Sequence, residues 1–288
     1  MLALARFAMR GPLQASLVAA IATALPLLFW IGAAVVALVI LRLGVTQGLN
    51  IGLWALLPAL GWGWVAQDPT AVTVLLQSAI MAMVLRASRT WEAALVTGSG
   101  LAILTGLALP ALYPELIGQL AKAGVGYIEQ YNPEMATELG NELDSLVREV
   151  MNASMAGTYL LVSVGVLMLA RSWQAGLFNP GGFQKEFHAF RLSRPVAGLC
   201  GLAVLGGPFL GLAPLMVSWA GALPLIMAGL GLIHGIVSRR QLGVHWLVLF
   251  YVLLVLLSPS LMLLLLVIAF VDSWLDFRRR IKPREPAE

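Results

Sequence analysis

The sequence predicts an all-α polytopic membrane protein, a bundle of about ten spanning helices with both termini in the cytoplasm. The first observation behind this prediction is composition, because 60% of the 288 residues are hydrophobic and only 11% are charged. So little polar surface could not cover a soluble globule of this size. The second observation is a series of apolar runs of membrane length, and the third is the distribution of basic residues between the loops.

Ten apolar runs lie between polar, proline or glycine breaks, and each is close to the roughly 20 residues that a helix needs to cross the hydrocarbon core. We expect spans at residues 5–25, 27–43, 47–66, 70–87, 91–112, 153–171, 196–218, 221–238, 242–257 and 260–277. Two pairs are ambiguous, since residues 11–41 could form one helix kinked at Pro26 and residues 242–277 one helix broken at Pro259. Merging both pairs would leave eight spans.

The charges of the loops favour ten spans over eight. With the N-terminus inside, ten spans place all of the 18 Lys and Arg residues in the cytoplasm except Lys122 and Arg148. This is the bias that the positive-inside rule describes, and merging both pairs destroys it. The net charge of +4 is therefore attributed to topology, and no nucleic-acid partner is expected.

The predicted organisation follows from these spans. Residues 1–113 hold spans 1–5, residues 114–152 form extracytoplasmic amphipathic helices, residues 153–171 are span 6, residues 172–195 are a cytoplasmic aromatic and basic loop, residues 196–277 hold spans 7–10, and residues 278–288 are a basic cytoplasmic tail. In the extracytoplasmic segment, Asn132, Pro133 and Glu134 are typical of a helix start. The helices there are expected to act either as a shield for the spans or as a lid.

Aromatic and basic side chains are interleaved in the loop at residues 172–195. Phe183, Phe187 and Phe190 are spaced as on one side of a short helix, which predicts that they face the membrane. Lys185, Arg191 and Arg194 would then lie near anionic lipid headgroups. The lipid bilayer is therefore one expected partner of the chain.

The sequence contains no recognisable catalytic motif. The His-Glu-x-x-His zinc signature, the Gly-x-Ser-x-Gly turn and the phosphate-binding loop are absent, and the three His residues are dispersed. Cys200 is the only cysteine, which excludes a disulfide or a cysteine-ligated metal site within one chain. We therefore predict no enzyme activity, no cofactor and no bound metal.

Uncharged polar side chains within the spans are better candidates for a functional site. The candidate substrate-binding residues are Gln47, Asn50, Gln77, Thr97, Ser99 and His234. Together with prolines that can expose backbone carbonyls beside a cavity, they predict a site for a neutral solute near the middle of the membrane. The alternative for His234 is a neutral histidine that is hydrogen-bonded to a neighbouring helix.

Small residues recur every four positions in three stripes, an arrangement that lets helix backbones approach closely. The expected helix-packing residues are Gly44, Gly48, Gly52, Gly207, Gly211, Gly231 and Gly235. Charged side chains are expected at the inner interface, namely Arg42, Asp272, Asp276 and Arg278. There the two Asp residues balance nearby Arg residues and take no part in catalysis.

The chain resembles the YybS-like family of predicted bacterial membrane proteins at two short motifs, RLGVTQG (residues 42–48) and DSWLDFR (residues 272–278). That family has no known function and a suggested distant kinship to the substrate-binding S components of energy-coupling-factor vitamin transporters. The resemblance implies a helical bundle in the bacterial inner membrane, a small-molecule ligand and a second membrane protein as docking partner. The chain departs from the six-span pattern of S components in its extra spans and its outer acidic segment.

The sequence favours two functions of different classes, and an enzyme of lipid or cell-envelope chemistry ranks third because no catalytic set of residues is evident. The first is a transport-related binding component or permease for a small neutral or weakly polar molecule. The second is a non-transporting membrane scaffold, in which residues 172–195 or the outer helices recruit a partner. An enclosed polar cavity would favour the first function, and a solid apolar bundle would favour the second.

Overall fold

The computed structural model describes residues 1–209 and 214–280, and every regular element in these two ranges is a helix. The longer helices are α4 (Val45–Val65), α5 (Thr70–Ser88), α6 (Trp91–Leu112), α7 (Pro114–Tyr131), α9 (Leu143–Phe178) and α12 (Pro214–Arg239). The shorter helices are α1 (Leu2–Ala8), α2 (Pro12–Ala24), α3 (Phe29–Leu43), α8 (Pro133–Leu139), α10 (Gly182–Ala189), α11 (Arg194–Gly206), α13 (His245–Leu256), α14 (Ser260–Leu275) and α15 (Phe277–Arg280). Short 3₁₀ turns occur at Gly140–Glu142 and Gly207–Phe209.

The described helices indicate a membrane protein with fewer spans than the ten predicted. Five helical runs are long and apolar enough to cross a membrane, namely α4, α5, α6, α12 and the run Pro133–Phe178 that contains α9. The pair α10 and α11, bent by 68° at its break, makes a sixth if it is one span. The predicted all-α membrane bundle is therefore confirmed in its class, whereas the length of the described helices does not support ten spans.

Two helical hairpins account for most of the difference in span number. The first pairs α2 with α3 and the second joins α13 to α14, and these four helices have only 12 to 16 residues each. At 1.5 Å per residue such helices are about 18 to 24 Å long, which is less than the roughly 30 Å of hydrocarbon. The apolar runs were longer than these helices because they took in flanking residues, such as part of α1 in the run 5–25 and the turn residues before α3 in the run 27–43.

The observed helix bounds differ from the predicted segments at two places and agree with them at a third. The expected break between residues 218 and 221 is absent, because α12 continues through Pro224, and the preceding helix α11 already ends at Gly206. The span expected at residues 153–171 lies within α9, one helix of 36 residues that begins in the acidic segment. The expected helix start at Asn132 is confirmed, because its side chain accepts a hydrogen bond from the backbone N–H of Met135.

The helix α3 lies at the centre of the bundle. Every residue from Gly32 to Leu41 is buried, and the helix contacts α2, α4, α5 and α9. Its sequence AAVVALVIL is apolar on every face, which is the pattern of a helix surrounded by protein. Neighbouring α4 approaches closely because Gly48 lies directly against Ile40, where a Cβ atom would overlap the Ile40 side chain.

The other glycines of the three stripes have different roles. Gly52 faces Val36 at an ordinary contact distance, whereas Gly44 has a φ of 116° and forms the joint between α3 and α4. Gly231 and Gly235 lie against α10, where an added Cβ would come within 2.7 Å and 2.8 Å, respectively, of a backbone carbonyl oxygen. A Cβ on Gly207 would lie 2.6 Å from a carbonyl oxygen of α12. The predicted close packing therefore holds at these positions, while Gly211 lies outside the described residues.

The aromatic side chains of the predicted loop face the protein. Phe183 lies 5.9 Å from the ring of Trp91 and Phe187 lies 5.5 Å from the ring of His234, measured between ring centroids. Phe190 is only 8% exposed and belongs to the main core. The expectation that these three rings face the membrane is wrong, because α10 folds back onto α6 and α12 and buries its apolar side there.

Basic side chains from separate helices meet at one end of the bundle, here called the basic end. Arg86 reaches the C-terminal carbonyls of α3, Arg171 pairs with Glu186 of α10, and Arg191 pairs with Asp276 after α14. The guanidinium of Arg239 donates to the backbone oxygen of Arg278 at 2.6 Å. These contacts place the C-terminal ends of α3, α5, α9, α12 and α14 at the same end of the molecule.

Candidate functional site

The polar side chains predicted to bind a neutral solute do not converge on one cavity. Gln77 is 3% exposed, and its amide nitrogen donates to the Thr105 hydroxyl at 2.9 Å. Its amide oxygen accepts a hydrogen bond from the buried Ser163 hydroxyl at 3.1 Å. Gln77, Thr105 and Ser163 thus form a polar cluster that joins α5, α6 and α9, here called the internal cluster. Both polar atoms of Gln77 already have protein partners, as buried amides require.

Three further predicted residues are bonded to neighbouring protein groups. The Thr97 hydroxyl donates to the carbonyl of Ala93 in its own helix, and the Ser99 hydroxyl donates to the carbonyl of Ala220 in α12 at 2.6 Å. His234 Nε2 lies 2.9 Å from the Tyr251 hydroxyl oxygen. For His234 the structure therefore matches the alternative reading, a histidine hydrogen-bonded to the neighbouring helix α13.

Gln47 and Asn50 line a groove at the edge of the bundle. The groove has a volume of about 440 Å³ and lies between α4 and the α1–α2 segment, with Ser16 and Trp54 also on its walls. Both amide side chains are exposed, and the other four predicted residues lie elsewhere. Within residues 1–209 and 214–280, the six candidates therefore occupy separate places and do not line one common cavity.

The predicted inner-interface charges form ion pairs at the basic end. Asp272 and Arg278 pair at 3.2 Å with side chains only 3% and 7% exposed, and Asp272 also accepts the backbone N–H of Phe277 at 2.8 Å. Burial lowers the pKa of the Arg278 guanidinium, and the adjacent Asp272 carboxylate opposes this shift. Asp276 pairs with Arg191 at 3.1 Å. The expectation that each Asp balances an Arg is thus confirmed.

Arg42, the remaining member of that set, packs differently. Its guanidinium carbon lies 4.1 Å from the centroid of the Phe178 ring, a distance at which a cation is attracted by the ring face. The contact links the end of α3 to the end of α9. Arg42 therefore holds two helix ends together at the basic end.

A cavity lined by charged side chains lies at the basic end and is here called the basic pocket. Its volume is about 410 Å³, within the range that small-molecule sites occupy. The lining residues are Leu41, Leu85, Arg86, Arg89, Arg171, Gln174 and Glu186. They come from the C-terminal ends of α3 and α5, from α9 and from α10. Four helix segments thus supply one polar wall.

The position of Arg86 follows from the way α3 ends. The last carbonyls of a helix lack partners in that helix. Arg86 Nη1 donates to the carbonyl oxygens of Leu41 at 2.6 Å and Ile40 at 3.3 Å, and Gln174 Nε2 donates to the same Leu41 oxygen at 3.2 Å. Arg86 and Gln174 therefore cap α3 and are held against the pocket wall.

Arg171 is held by a fork of hydrogen bonds. Its Nε donates to Glu186 Oε2 at 3.0 Å, its Nη2 donates to Glu186 Oε1, and its Nη1 donates to Gln174 Oε1 at 3.0 Å. The Arg171 side chain is 14% exposed and that of Glu186 is 39% exposed. Two parallel bonds of this kind fix the plane of the guanidinium. Arg171 therefore presents an oriented oxyanion-binding edge to the pocket, and Glu186 occupies it.

Arg89 has a different environment from the other two arginines. It follows α5 in the left-handed region, with φ 58° and ψ 20°, an uncommon backbone conformation for a residue with a side chain. Its side chain is exposed and makes no hydrogen bond or ion pair within residues 1–209 and 214–280. Three arginines therefore line the pocket against one glutamate, which leaves a formal surplus of two positive charges.

Reasoning from sequence missed this pocket. Arg86, Arg89 and Arg171 were attributed to membrane topology, and Glu186 was one residue of a loop expected to lie on lipid. A usable signal was the single acidic residue at 172–195 among several basic ones, which indicates an ion pair with a neighbouring span end. Comparisons of the chain with protein-family models, curated proteins and solved structures found no match.

Proposed function

We propose that the chain is a small-molecule binding component or permease of the membrane, and that its ligand binds in the basic pocket. The observation that supports this most strongly is the contrast between a cavity of about 410 Å³ with a charged wall and internal polar groups that are already paired. The surplus of positive charge favours an anionic ligand over the neutral solute expected from the sequence. The YybS-like resemblance, which implies a small-molecule binder, agrees with this proposal.

The proposal includes a topology with six crossings. These are α4, α5, α6, α9, the bent pair α10 and α11, and α12, with the basic end in the cytoplasm of a bacterial cell and the bundle in its inner membrane. Within the bent pair, α11 enters the membrane and α10 lies at the basic end. The positive-inside rule supports this orientation. The two short hairpins enter from the basic end and return to it, so both termini are cytoplasmic. The basic pocket then opens towards the cytoplasm or the inner leaflet.

A thermal-stability screen of the purified protein tests the function. The screen compares small anions with neutral and cationic solutes, each at the same ionic strength, because ligands that bind the folded state raise the unfolding temperature. At least one anion should stabilise the protein, and Arg89→Ala should remove that effect. The matched control is Lys185→Ala, since Lys185 is exposed on α10 but does not line the pocket.

The outcomes separate the proposal from its competitors. Stabilisation by neutral solutes alone would contradict an anion site in the basic pocket. An anion effect that Arg89→Ala leaves intact would place the site elsewhere. If no solute stabilises the protein, the chain is not a solute-binding component under these conditions, and the scaffold function takes precedence.

The second candidate function is a non-transporting membrane scaffold. An apolar groove of about 590 Å³ between α6, α11 and α12 favours it, because exposed side chains such as Leu199 and Leu202 lie along its rim. A scaffold would retain a second membrane protein during purification in mild detergent. Substituting Leu199 and Leu202 by Ala should then release that protein, whereas Arg89→Ala should not.

A further inference from the structure

We propose that the anion bound in the basic pocket carries a phosphate group, held between Arg86 and Arg89 at the end of α5 and Arg171 in α9. This inference rests on the proposed function and specifies its ligand class. The phosphate would compete with Glu186 for the guanidinium edge of Arg171.

The charge of the pocket matches a phosphate monoester. Arg86, Arg89 and Arg171 carry three positive charges against the one negative charge of Glu186. A phosphate monoester carries about 1.5 to 2 negative charges at pH 7. The ligand would therefore neutralise the surplus, whereas a single carboxylate would leave one positive charge without a partner.

The arrangement of donors also favours phosphate. One carboxylate needs only one guanidinium fork, and Glu186 already fills that fork on Arg171. A phosphate has three further oxygen acceptors when it is attached through one ester bond, so it can bind more than one guanidinium at once. Arg86 is fixed beside the pocket by the carbonyls of Ile40 and Leu41, and Arg89 has donors that no group in the described ranges accepts. The pocket therefore offers several oriented donor groups around one volume.

The position of the pocket allows two sources of the same chemistry. It lies at the ends of α3 and α5, beside the short helix α10, and so at the level where headgroups of the adjoining leaflet would lie in the proposed topology. A phosphate there can belong to a lipid headgroup or to a free phosphate compound. A free monoester matches the surplus of two charges, while a lipid phosphodiester supplies one negative charge. The experiment below separates these sources.

Binding is measured on the full-length protein in a phosphate-free maltoside detergent. The probes are inorganic phosphate, glycerol 3-phosphate, and phosphatidylglycerol added as mixed micelles, with malate as a dicarboxylate control at matched ionic strength. We expect at least one phosphate probe to raise the unfolding temperature more than malate does. Binding of glycerol 3-phosphate without phosphatidylglycerol identifies a free compound, and the reverse identifies a lipid headgroup.

Variants at the pocket test the assigned residues. Arg89→Ala should weaken phosphate binding at least about tenfold, the loss expected for a hydrogen bond to a charged group, and should keep the ligand-free unfolding temperature. Lys185→Ala should bind as the wild type does. Glu186→Gln removes the negative charge that competes with the phosphate, so it should strengthen binding about threefold or more. This is the smallest expected effect, because it assumes that Glu186 and the phosphate repel each other only as strongly as in water. Weaker binding of Glu186→Gln would contradict the competition between Glu186 and phosphate.

The remaining outcomes distinguish this inference from the proposed function. If malate stabilises the protein as strongly as the phosphate probes, and Arg89→Ala removes both effects, the anion site stands and the phosphate assignment is overturned. If phosphate binds equally well to Arg89→Ala, the assigned site is wrong. If none of the four probes binds while another anion of the solute screen does, only the phosphate inference fails.

Discussion

The internal cluster and the basic pocket both bring polar side chains together from several helices, but they differ in how completely those groups are paired. In the internal cluster, Gln77 uses its nitrogen and its oxygen on Thr105 and Ser163. In the basic pocket, Arg89 has no partner in the described ranges and a cavity of about 410 Å³ remains. The internal cluster joins helices, whereas the pocket contains donors that no group in the described ranges accepts, which is why we propose it as the ligand site.

The difference has a physical origin in the depth of each group. Burying an unpaired polar group in hydrocarbon raises the free energy of the folded protein by several kcal/mol, about as much as several hydrogen bonds contribute. Polar side chains at this depth must therefore be paired within the protein. At the end of the bundle, water and headgroups can solvate a guanidinium until a ligand arrives. In this chain, the paired polar residues of the internal cluster contribute to helix packing, and the proposed binding site lies instead at the basic end.

The largest expected effect is an all-or-none labelling pattern, which tests whether the basic end is cytoplasmic. In a Cys200→Ala background, a cysteine at Thr137 in α8 should react with a membrane-impermeant reagent from outside the inner membrane. A cysteine at Gln184 in α10 should react only after that membrane is permeabilised. Both positions are exposed. The reverse pattern would place the basic pocket on the outer side.

The same labelling measures the depth of the hairpins. Cysteines at Leu27 and Leu257, which lie exposed at the two hairpin tips, should stay unlabelled from either side if the hairpins end within the membrane. The ten-span arrangement predicts instead that both tips react from outside. Labelling of the tips with the same efficiency as Thr137 would therefore restore ten crossings.

The next largest effect is a loss of stability at the basic end, where some charged side chains form ion pairs with each other and do not line the pocket. Asp272→Ala should destabilise the protein by about 3 to 5 kcal/mol, because it leaves the buried Arg278 guanidinium without its partner. Asp276→Ala is the matched control. Its partners Arg191 and Arg279 are 36% and 87% exposed, and exposed pairs contribute about 1 kcal/mol or less. Reversible unfolding in detergent measures both, and equal losses would show that Asp272 is not held in a dry environment.

A smaller loss is expected in the internal cluster. Gln77→Leu should cost about 1 to 3 kcal/mol, because the Ser163 hydroxyl loses its partner in a buried place. Thr97→Val is the control, since the Thr97 hydroxyl only bonds to a carbonyl of its own helix. It should cost less than about 1 kcal/mol. A Gln77→Leu protein as stable as the wild type would mean that the cluster does not join the helices as described.

The class of fold was predictable from sequence, because a chain with 60% hydrophobic residues has to bury them in a bilayer. Local features were predictable too, such as the helix start at Asn132 and the close contact at Gly48. The number of spans was not, since a short helix together with its apolar flanking residues has nearly the length of one full crossing. The continuity of α9 was missed because its sequence turns from acidic to apolar without a helix-breaking residue.

The basic pocket could not be read from the sequence for a different reason. Leu41, Arg86, Arg171 and Glu186 come from different parts of the chain, and only the packing of α3, α5, α9 and α10 brings them together. A basic residue at a span end also satisfies the positive-inside rule, so the sequence alone gives no reason to propose a binding role for it. Contacts such as the one between Arg86 and the Leu41 carbonyl depend on tertiary structure alone.

One paired measurement tests the contrast between the two regions most directly. The unfolding temperatures of Arg89→Ala and Gln77→Leu are determined with and without glycerol 3-phosphate or phosphatidylglycerol, whichever stabilises the wild type. Arg89→Ala should keep the ligand-free unfolding temperature and lose the ligand-induced increase. Gln77→Leu should have a lower ligand-free unfolding temperature and keep the increase. A Gln77→Leu protein that loses the ligand effect, beside an Arg89→Ala protein that keeps it, would place the binding site in the internal cluster and contradict the account.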